Sequence, residues 1–553
     1  MHEPKTNTLR ILIAHFFRRF FDNDTVQPEG DTRTTVVRAL AAAAAPGLIV
    51  AFWVINKYAW LPAWDAIDAR CFFVVLSFVA IGAIAVFEWE MLFPDKLDFL
   101  VLTPLPIRPL QMFAAKATAL LGFLGMFLFA TNMCATEVLP SLRLGPVWPQ
   151  AKAHFVATMC AGAFASLLFL AVGGVMLCLL SARMFRAALP VLQMASVMAL
   201  TLLLCAYVRF AGALPVLLQQ QPLGMVRWLP PVWFLGLYEQ MLHGSSAPGF
   251  APVMARYAVR ALAIASAVVV VTYPLAWARM RRLTIEGVTR GRGKRSRISE
   301  WIATEVVRRP GERAVFHFIG QTMARNNRYQ VYLAIYGGVG LAVALSCAVS
   351  VRVVGGVARI GLSGYGLHAI MPMLVFWTIA GLRVAFAFPV NLQGGWIFRV
   401  TGVDLRECAA AARRWVMACA GCVLAAILIG LAIAGWDAKK LLVQSVCVVC
   451  LCMLLSDGFF FAQRSVPFNQ PRMPGKVSFP LMLTLYIGVF PQFVMGMSWL
   501  ETRLERHVAR LALVCFIAAA LHIAAAVLRG MSSEAEDLAE YDGEFQLLGL
   551  TTQ

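Results

Sequence analysis

Runs of about twenty apolar residues, repeated along the chain, constrain the fold more than any other feature. They fall near 39–56, 70–88, 111–134, 154–181, 187–208 and 257–279. After a basic connection they resume near 330–350, 368–388, 410–435, 440–462, 479–498 and 507–529. Each matches the ~30 Å hydrocarbon core of a bilayer when wound as a helix. None alternates with period two, as a barrel strand would. Charged residues make up 14% of the chain, where soluble domains carry about a quarter. The fold class expected is therefore all-α: a polytopic integral membrane protein with about 12 transmembrane helices. The start, MHEPKTNTLR, leads to a short mixed stretch without a small-residue cleavage site, so no removable signal peptide is expected.

The net charge of +19 has a membrane explanation. Lys and Arg gather in cytoplasmic loops, where they set topology and meet anionic lipid, so nucleic acid is not an expected partner. The segment from Arg279 to Arg328 carries 13 basic residues against four glutamates. Placing it inside puts both termini inside, in a bacterial cytoplasmic (inner) membrane. Residues 9–21 carry Leu9, Leu12, Ile13, Phe16, Phe17 and Phe20 near one helical face, with Arg10, Arg18 and Arg19 opposite. That pattern predicts a helix lying in the membrane interface. The expected domains are 1–38, a tail with this helix; 39–279, six spans; 280–329, a basic linker; 330–529, six more spans; and 530–553, an acidic tail. Segment 209–256, with Trp228, Trp233 and Tyr238, predicts short helices at the outer interface, because Pro230-Pro231 interrupts a full span.

The second half echoes the first. Phe93-Pro94 follows the second span and Phe388-Pro389 the eighth, 295 residues apart. Arg108 precedes the third span and Arg406 the ninth. An even number of spans per half keeps both halves in one orientation, as parallel repeats.

Enzyme chemistry has no visible constellation. The string Gly291-Arg292-Gly293-Lys294-Arg295 lacks the upstream glycine and the Ser or Thr of a P-loop. Cys419 with Cys422, and Cys447 with Cys450, have metal-like spacing but sit within apolar runs, where cysteine packs as a small polarisable residue. No catalytic residue, metal or cofactor is expected on this chain.

The connection between spans two and three reads EWEMLFPDKLDFLVLTPLPIRPLQMFAAK. Its prolines, Pro94, Pro104, Pro106 and Pro109, make a short stiff element. Asp98 to Ile107, then Leu110 and Lys116, resembles the cytoplasmic loop of ABC-2-type transporter permeases, the membrane subunits of ABC exporters. The interfacial helix, the six spans per half and the short outer helices also resemble that family. Pro104 and Arg108 stand where Ser or Thr is commoner in it. The resemblance implies a permease that moves its substrate outward with energy from a separate ABC ATPase, which would hold the ATP. It also implies that Glu90, Asp95, Asp98, Pro106 and Arg108, with Arg406 in the second half, face that ATPase. The 6+6 arrangement implies one chain supplying both transmembrane halves. A twelve-span secondary transporter is the rival reading; the largest such family has a Gly- and Arg-rich loop here, where this loop is acidic and proline-rich. A membrane-embedded transferase is a third, and would need polar residues clustered at one face.

Ionisable residues inside spans are costly and usually paired or functional. Glu88, Arg383 and Asp457 all lie about 7–8 Å inside the cytoplasmic boundary at ~1.5 Å rise per residue. They are expected to form a buried polar cluster.

Overall fold

The structure, a computed structural model, describes residues 8–21, 32–58, 67–89, 102, 104–141, 147–219, 224–285, 309–354, 357–386, 400, 405–433, 435–461, 467–468, 479–507 and 509–532. Every apolar run lies in a helix. Those of the first half are α2 (Thr32–Tyr58), α3 (Ile67–Phe87), α4 (Pro109–Ser141), α5 (Val147–Leu179), α6 (Ala182–Phe210) and α9 (Ala251–Ile285). Those of the second are α11 (Asn327–Ala348), α12 (Gly364–Phe386), α13 (Leu405–Ile433), α14 (Ala438–Phe459), α15 (Phe479–Arg506) and α16 (Ala509–Ser532). Among the described residues, ten helices are long and apolar enough to cross a membrane. The chain is thus an all-α polytopic membrane protein. Helices α2 and α15, 27 and 28 residues long, fall outside those ten; the apolar part of α2 is Val36–Phe52.

Between α6 and α9 the chain forms α7 (Leu214–Gln219), α8 (Pro230–His243) and three short 3-10 turns. Pro230-Pro231 does not merely break a run; it starts α8. Proline suits the first helical turn, whose amides have no partner within the helix. Two further elements are α1 (Thr8–Arg19) and α10 (Pro310–Arg325). The exception to the all-helical pattern is a hairpin after α11, in which β1 (Val349–Val354) pairs antiparallel with β2 (Val357–Leu362) from Val349↔Leu362 to Val354↔Val357. The acidic tail beyond residue 532 lies outside the described residues.

The chain divides into two compact units: Met1–Gly293 with Gln330–Ser363, and Lys294–Tyr329 with Gly364–Gln553. These cut across the expected halves. Almost all of the seventh span belongs to the first unit, and the end of the linker to the second. Within the first unit α11 approaches α6 at Gly338, where a Cβ would stand 2.7 Å from the Met194 carbonyl oxygen. The missing side chain lets the two helices meet backbone to backbone.

In the first unit α3 is buried along most of its length, including Arg70 and Ser77, and packs on α5, α6 and α8. Helix α5 also carries α9, α4 carries α2 and α1, and α8 lies along α9. Close crossings rest on small residues. A Cβ on Gly162 of α5 would be 2.5 Å from Leu128 and 2.8 Å from Ser77 Oγ. At that crossing Ser77 donates to the Thr158 carbonyl (2.8 Å) and Asn132 Nδ2 donates to Ser77 Oγ (3.0 Å). In the second unit α12 packs on α13, α14 and α15, α14 carries α16, and α10 lies on α13.

Candidate functional site

The expected ATPase-facing loop is described from residue 104 onward, with Leu102 buried before it. Pro104, Leu105, Pro106 and Arg108 are exposed. The Leu105 amide donates to the Leu102 carbonyl (3.2 Å) and the Ile107 amide to the Leu105 carbonyl (2.7 Å). Arg108 then caps α4. Its carbonyl accepts from Gln111 and Met112, while its own amide donates to Gln111 Oε1 (3.3 Å). A side chain three residues on that reaches back to the cap amide, with proline at the first helical position, fixes the angle between turn and helix. Glu90, Asp95 and Asp98 lie outside the described residues. Arg406 is exposed in the first turn of α13.

An amphipathic helix rests on each span that follows such a loop. Helix α1 buries Leu12 and Phe16. Just beyond it, Phe20 stacks on Phe123 of α4 at 4.7 Å between centroids. The Lys116 ammonium lies 5.5 Å from the Phe16 ring. Helix α10 buries Glu312, Val315, Phe316, Ile319 and Met323, one face of a helix. Its Glu312 Oε2 meets Arg414 Nη1 of α13 at 2.5 Å. So α1 serves the third span as α10 serves the ninth. The linker 280–329 was expected only as a basic connection, yet the spacing of Val315, Phe316, Ile319 and Met323 carried the helical signal.

Asp457 and Arg383, both in the second unit, take different partners. Asp457 is buried and paired with side chains from other helices. Its Oδ1 accepts from Arg529 Nη1 (2.8 Å), Oδ2 stands 2.5 Å from His522 Nδ1, and Arg413 Nη1 lies 3.6 Å away. Arg383 instead donates from Nε to the Phe459 carbonyl (3.0 Å), two residues beyond Asp457 on the same helix, with its guanidinium 5.7 Å from the Phe460 ring. A carboxylate already holding α16 and α13 leaves Arg383 to satisfy a helix-end carbonyl. Glu88 stands at the end of α3 in the first unit, half-buried, its amide donating to the Ile84 carbonyl at 3.0 Å.

At the opposite helix ends each unit holds a buried polar knot that the sequence reading did not single out. In the first, Arg70 of α3 grips Glu239 of α8 with two bonds, Nε to Oε1 at 2.6 Å and Nη2 to Oε2 at 3.2 Å. The side chains are 2% and 0% exposed, so each charge depends on the other. His154 of α5 lies 3.2 Å from the Tyr238 hydroxyl, and His243, one turn after Glu239, stands 3.4 Å from it. In the second, His368 of α12, Gln444 of α14, and Glu501 and Glu505 of α15 meet. Gln444 Nε2 is 2.9 Å from His368 Nδ1 and 3.3 Å from Glu501 Oε2, and both glutamates lie 3.6 Å from that imidazole.

Family models, curated proteins and solved structures contain no match to this chain. Its geometry must therefore speak for itself. Arg70, His154, His368 and Gln444 begin even spans, Glu501 ends span eleven, and Glu239 lies between spans five and six. Arg529 and Asp457 end spans twelve and ten, and Arg413 begins span nine. Arg279, ending span six, donates to the Cys178 and Leu180 carbonyls at the end of span four. Within each unit these contacts join helix ends. Among the described residues no group of three or more His, Cys, Asp or Glu is placed to hold a metal ion.

Proposed function

We propose that this chain is the membrane permease subunit of an ABC-type exporter of the ABC-2 kind, with a separate ATPase supplying the energy. In this reading it sits in the bacterial inner membrane with both termini inside, and one chain provides both transmembrane halves. The observation that carries the reading is the paired placement of α1 on α4 and α10 on α13. Each half thus has an amphipathic helix lying on its third span.

The turn 104–110 is short, proline-stiffened and capped onto α4 by Arg108 and Gln111. A partner pressing on Pro106 and Arg108 would move α4 as a lever, because the cap allows little bending between turn and helix. Helix α4 carries α1 and α2 on its flanks, so the push passes into the first unit. Arg406, at the start of α13, occupies the matching place in the second half.

The test is isolation of the full-length chain, in mild detergent, from the membrane of the cell that makes it. A nucleotide-binding protein should travel with it and the isolate should hydrolyse ATP. Charge reversal at Asp95 and Asp98 should lower the amount of that protein recovered. Isolation of the chain alone as an active carrier, driven by an ion gradient without ATP, would contradict the proposal.

A further inference from the structure

The two polar knots occupy the same place in their halves but hold opposite balances of charge. In each, a basic residue begins the second span of the half and a polar residue begins the fourth. An acid comes from the chain after the fourth span, and a further titratable residue lies one helical turn beyond that acid. In the first unit the basic residue is Arg70, a permanent cation, and the residue after Glu239 is His243. In the second the basic residue is His368, and the residue after Glu501 is a further carboxylate, Glu505. The second knot has lost a fixed positive charge and gained an acid.

Its hydrogen bonding shows the same shortage. Gln444 and Glu501 are fully buried. Gln444 Oε1, Glu501 Oε1 and Glu505 Oε1 are all shielded from solvent and have no partner. Glu505 Oε1 is the atom that faces the imidazole, at 3.6 Å, beyond hydrogen-bond range. Ionised carboxylates only accept. The available donors are the Gln444 amide and at most one imidazole N–H, so acceptors outnumber them. A fully buried Glu501 and a half-buried Glu505 around one imidazole cannot both stay ionised cheaply.

Among the described residues, no Lys or Arg forms an ion pair with Glu501 or Glu505. Helix α14 contributes Gln444 and the Cys447 thiol, and α16 contributes Leu511 and Val514 to the apolar layer beside Leu504. Lys440 lies over the Trp436 ring, which itself meets His368, and Arg503 lies over Trp499. No set of three ligands is arranged for a metal ion among the described residues. A proton added to the knot would supply the missing positive charge.

We propose that Glu501 and Glu505 form a proton-binding site that holds one proton taken from the solvent on its own face of the membrane. The proton adds to a carboxylate oxygen, cancels one negative charge and turns an acceptor into a donor. With it bound, α12, α14 and α15 are tied together; without it, two carboxylates repel across the knot. The first knot, with its fixed guanidinium, needs no proton. This inference does not depend on the proposed ATPase partner.

The full-length chain in lipid nanodiscs provides the test, by infrared difference spectroscopy and thermal unfolding between mildly acidic and alkaline buffer. A proton held only in the folded state raises the folded proton affinity, so its stabilisation is present at low pH and lost as pH rises. The wild type should show a protonated-carboxyl carbonyl band that persists above the ordinary carboxylate range, and its melting temperature should fall toward alkaline pH. Glu505→Gln should remove the band and at least half of the shift in melting temperature; Glu501→Gln, a second route to the same loss of charge, should do likewise. Glu239→Gln should melt lower than the wild type at every pH with the same pH profile. No band above the ordinary range, or a Glu505→Gln profile parallel to the wild type, would overturn the proposal. So would a melting temperature raised by sodium chloride but not by choline chloride at constant pH, which would assign the site to a metal cation.

Discussion

Arg70 and Glu239 show how much a buried charge depends on its partner. Both are taken out of water almost completely, and two hydrogen bonds of 2.6 and 3.2 Å return part of that cost. Removing one leaves the other uncompensated in an apolar site, at about 3–5 kcal/mol. Glu239→Ala is expected to destabilise the chain by that amount, read from unfolding in detergent. Adding Arg70→Met to Glu239→Leu should regain most of the loss, because two apolar side chains bury without desolvating a charge. Little of this was legible in the sequence. Arg70 stands at the edge of an apolar run, where a charge reads as an interfacial anchor, and Glu239 sits among aromatics that read as a belt. Only the fold brings positions 70 and 239 together. Asp457 was legible as a costly charge that must be paired. Its partners were not, because Arg413 and Arg529 lie near helix ends where basic residues are expected in any case.

Helices were the most legible elements, since length and apolarity decide them with little help from tertiary structure. Amphipathic pieces were less so. The face of α1 was visible because four phenylalanines mark it. The face of α10 was masked by its basic neighbours, although Val315, Phe316, Ile319 and Met323 keep helical spacing. The hairpin also left a signal, a valine-rich run, Val349–Val354, followed by Gly355-Gly356. The placement of α8 rests on a feature that no sequence pattern shows. A Cβ on Gly236 would come within 2.3 Å of Met254 Cβ and 3.1 Å of the Ala251 carbonyl and Ala255 amide of α9. Backbone cannot step aside as a flexible side chain can. Gly236→Ala should therefore cost about 1–3 kcal/mol, the usual range for overpacking. Because α8 carries Glu239, it should also loosen the pair with Arg70. Unfolding of Gly236→Ala alone and combined with Glu239→Ala measures both effects. Losses that add fully would show that the helix keeps its place without the glycine.

For the whole molecule, the all-α membrane character was readable from hydropathy, and ten helices long and apolar enough to cross a membrane bear it out. The two compact units were not readable, because close approaches such as that of α11 to α6 at Gly338 are visible only in the fold. The likeness of the halves is plainer in packing than in sequence. Phe-Pro pairs 295 residues apart are a slender signal, whereas α1 on α4, α10 on α13, and a polar knot in each unit repeat whole arrangements. That likeness underlies the central claim that one chain supplies both transmembrane halves of an ATP-driven permease. Native mass spectrometry of the smallest ATP-hydrolysing complex isolated from the cell's own membrane tests it most directly. The account predicts one 60.6 kDa chain bound to two ATPase subunits. Two copies of the 553-residue chain in that complex, or an active complex with no ATPase at all, would contradict it.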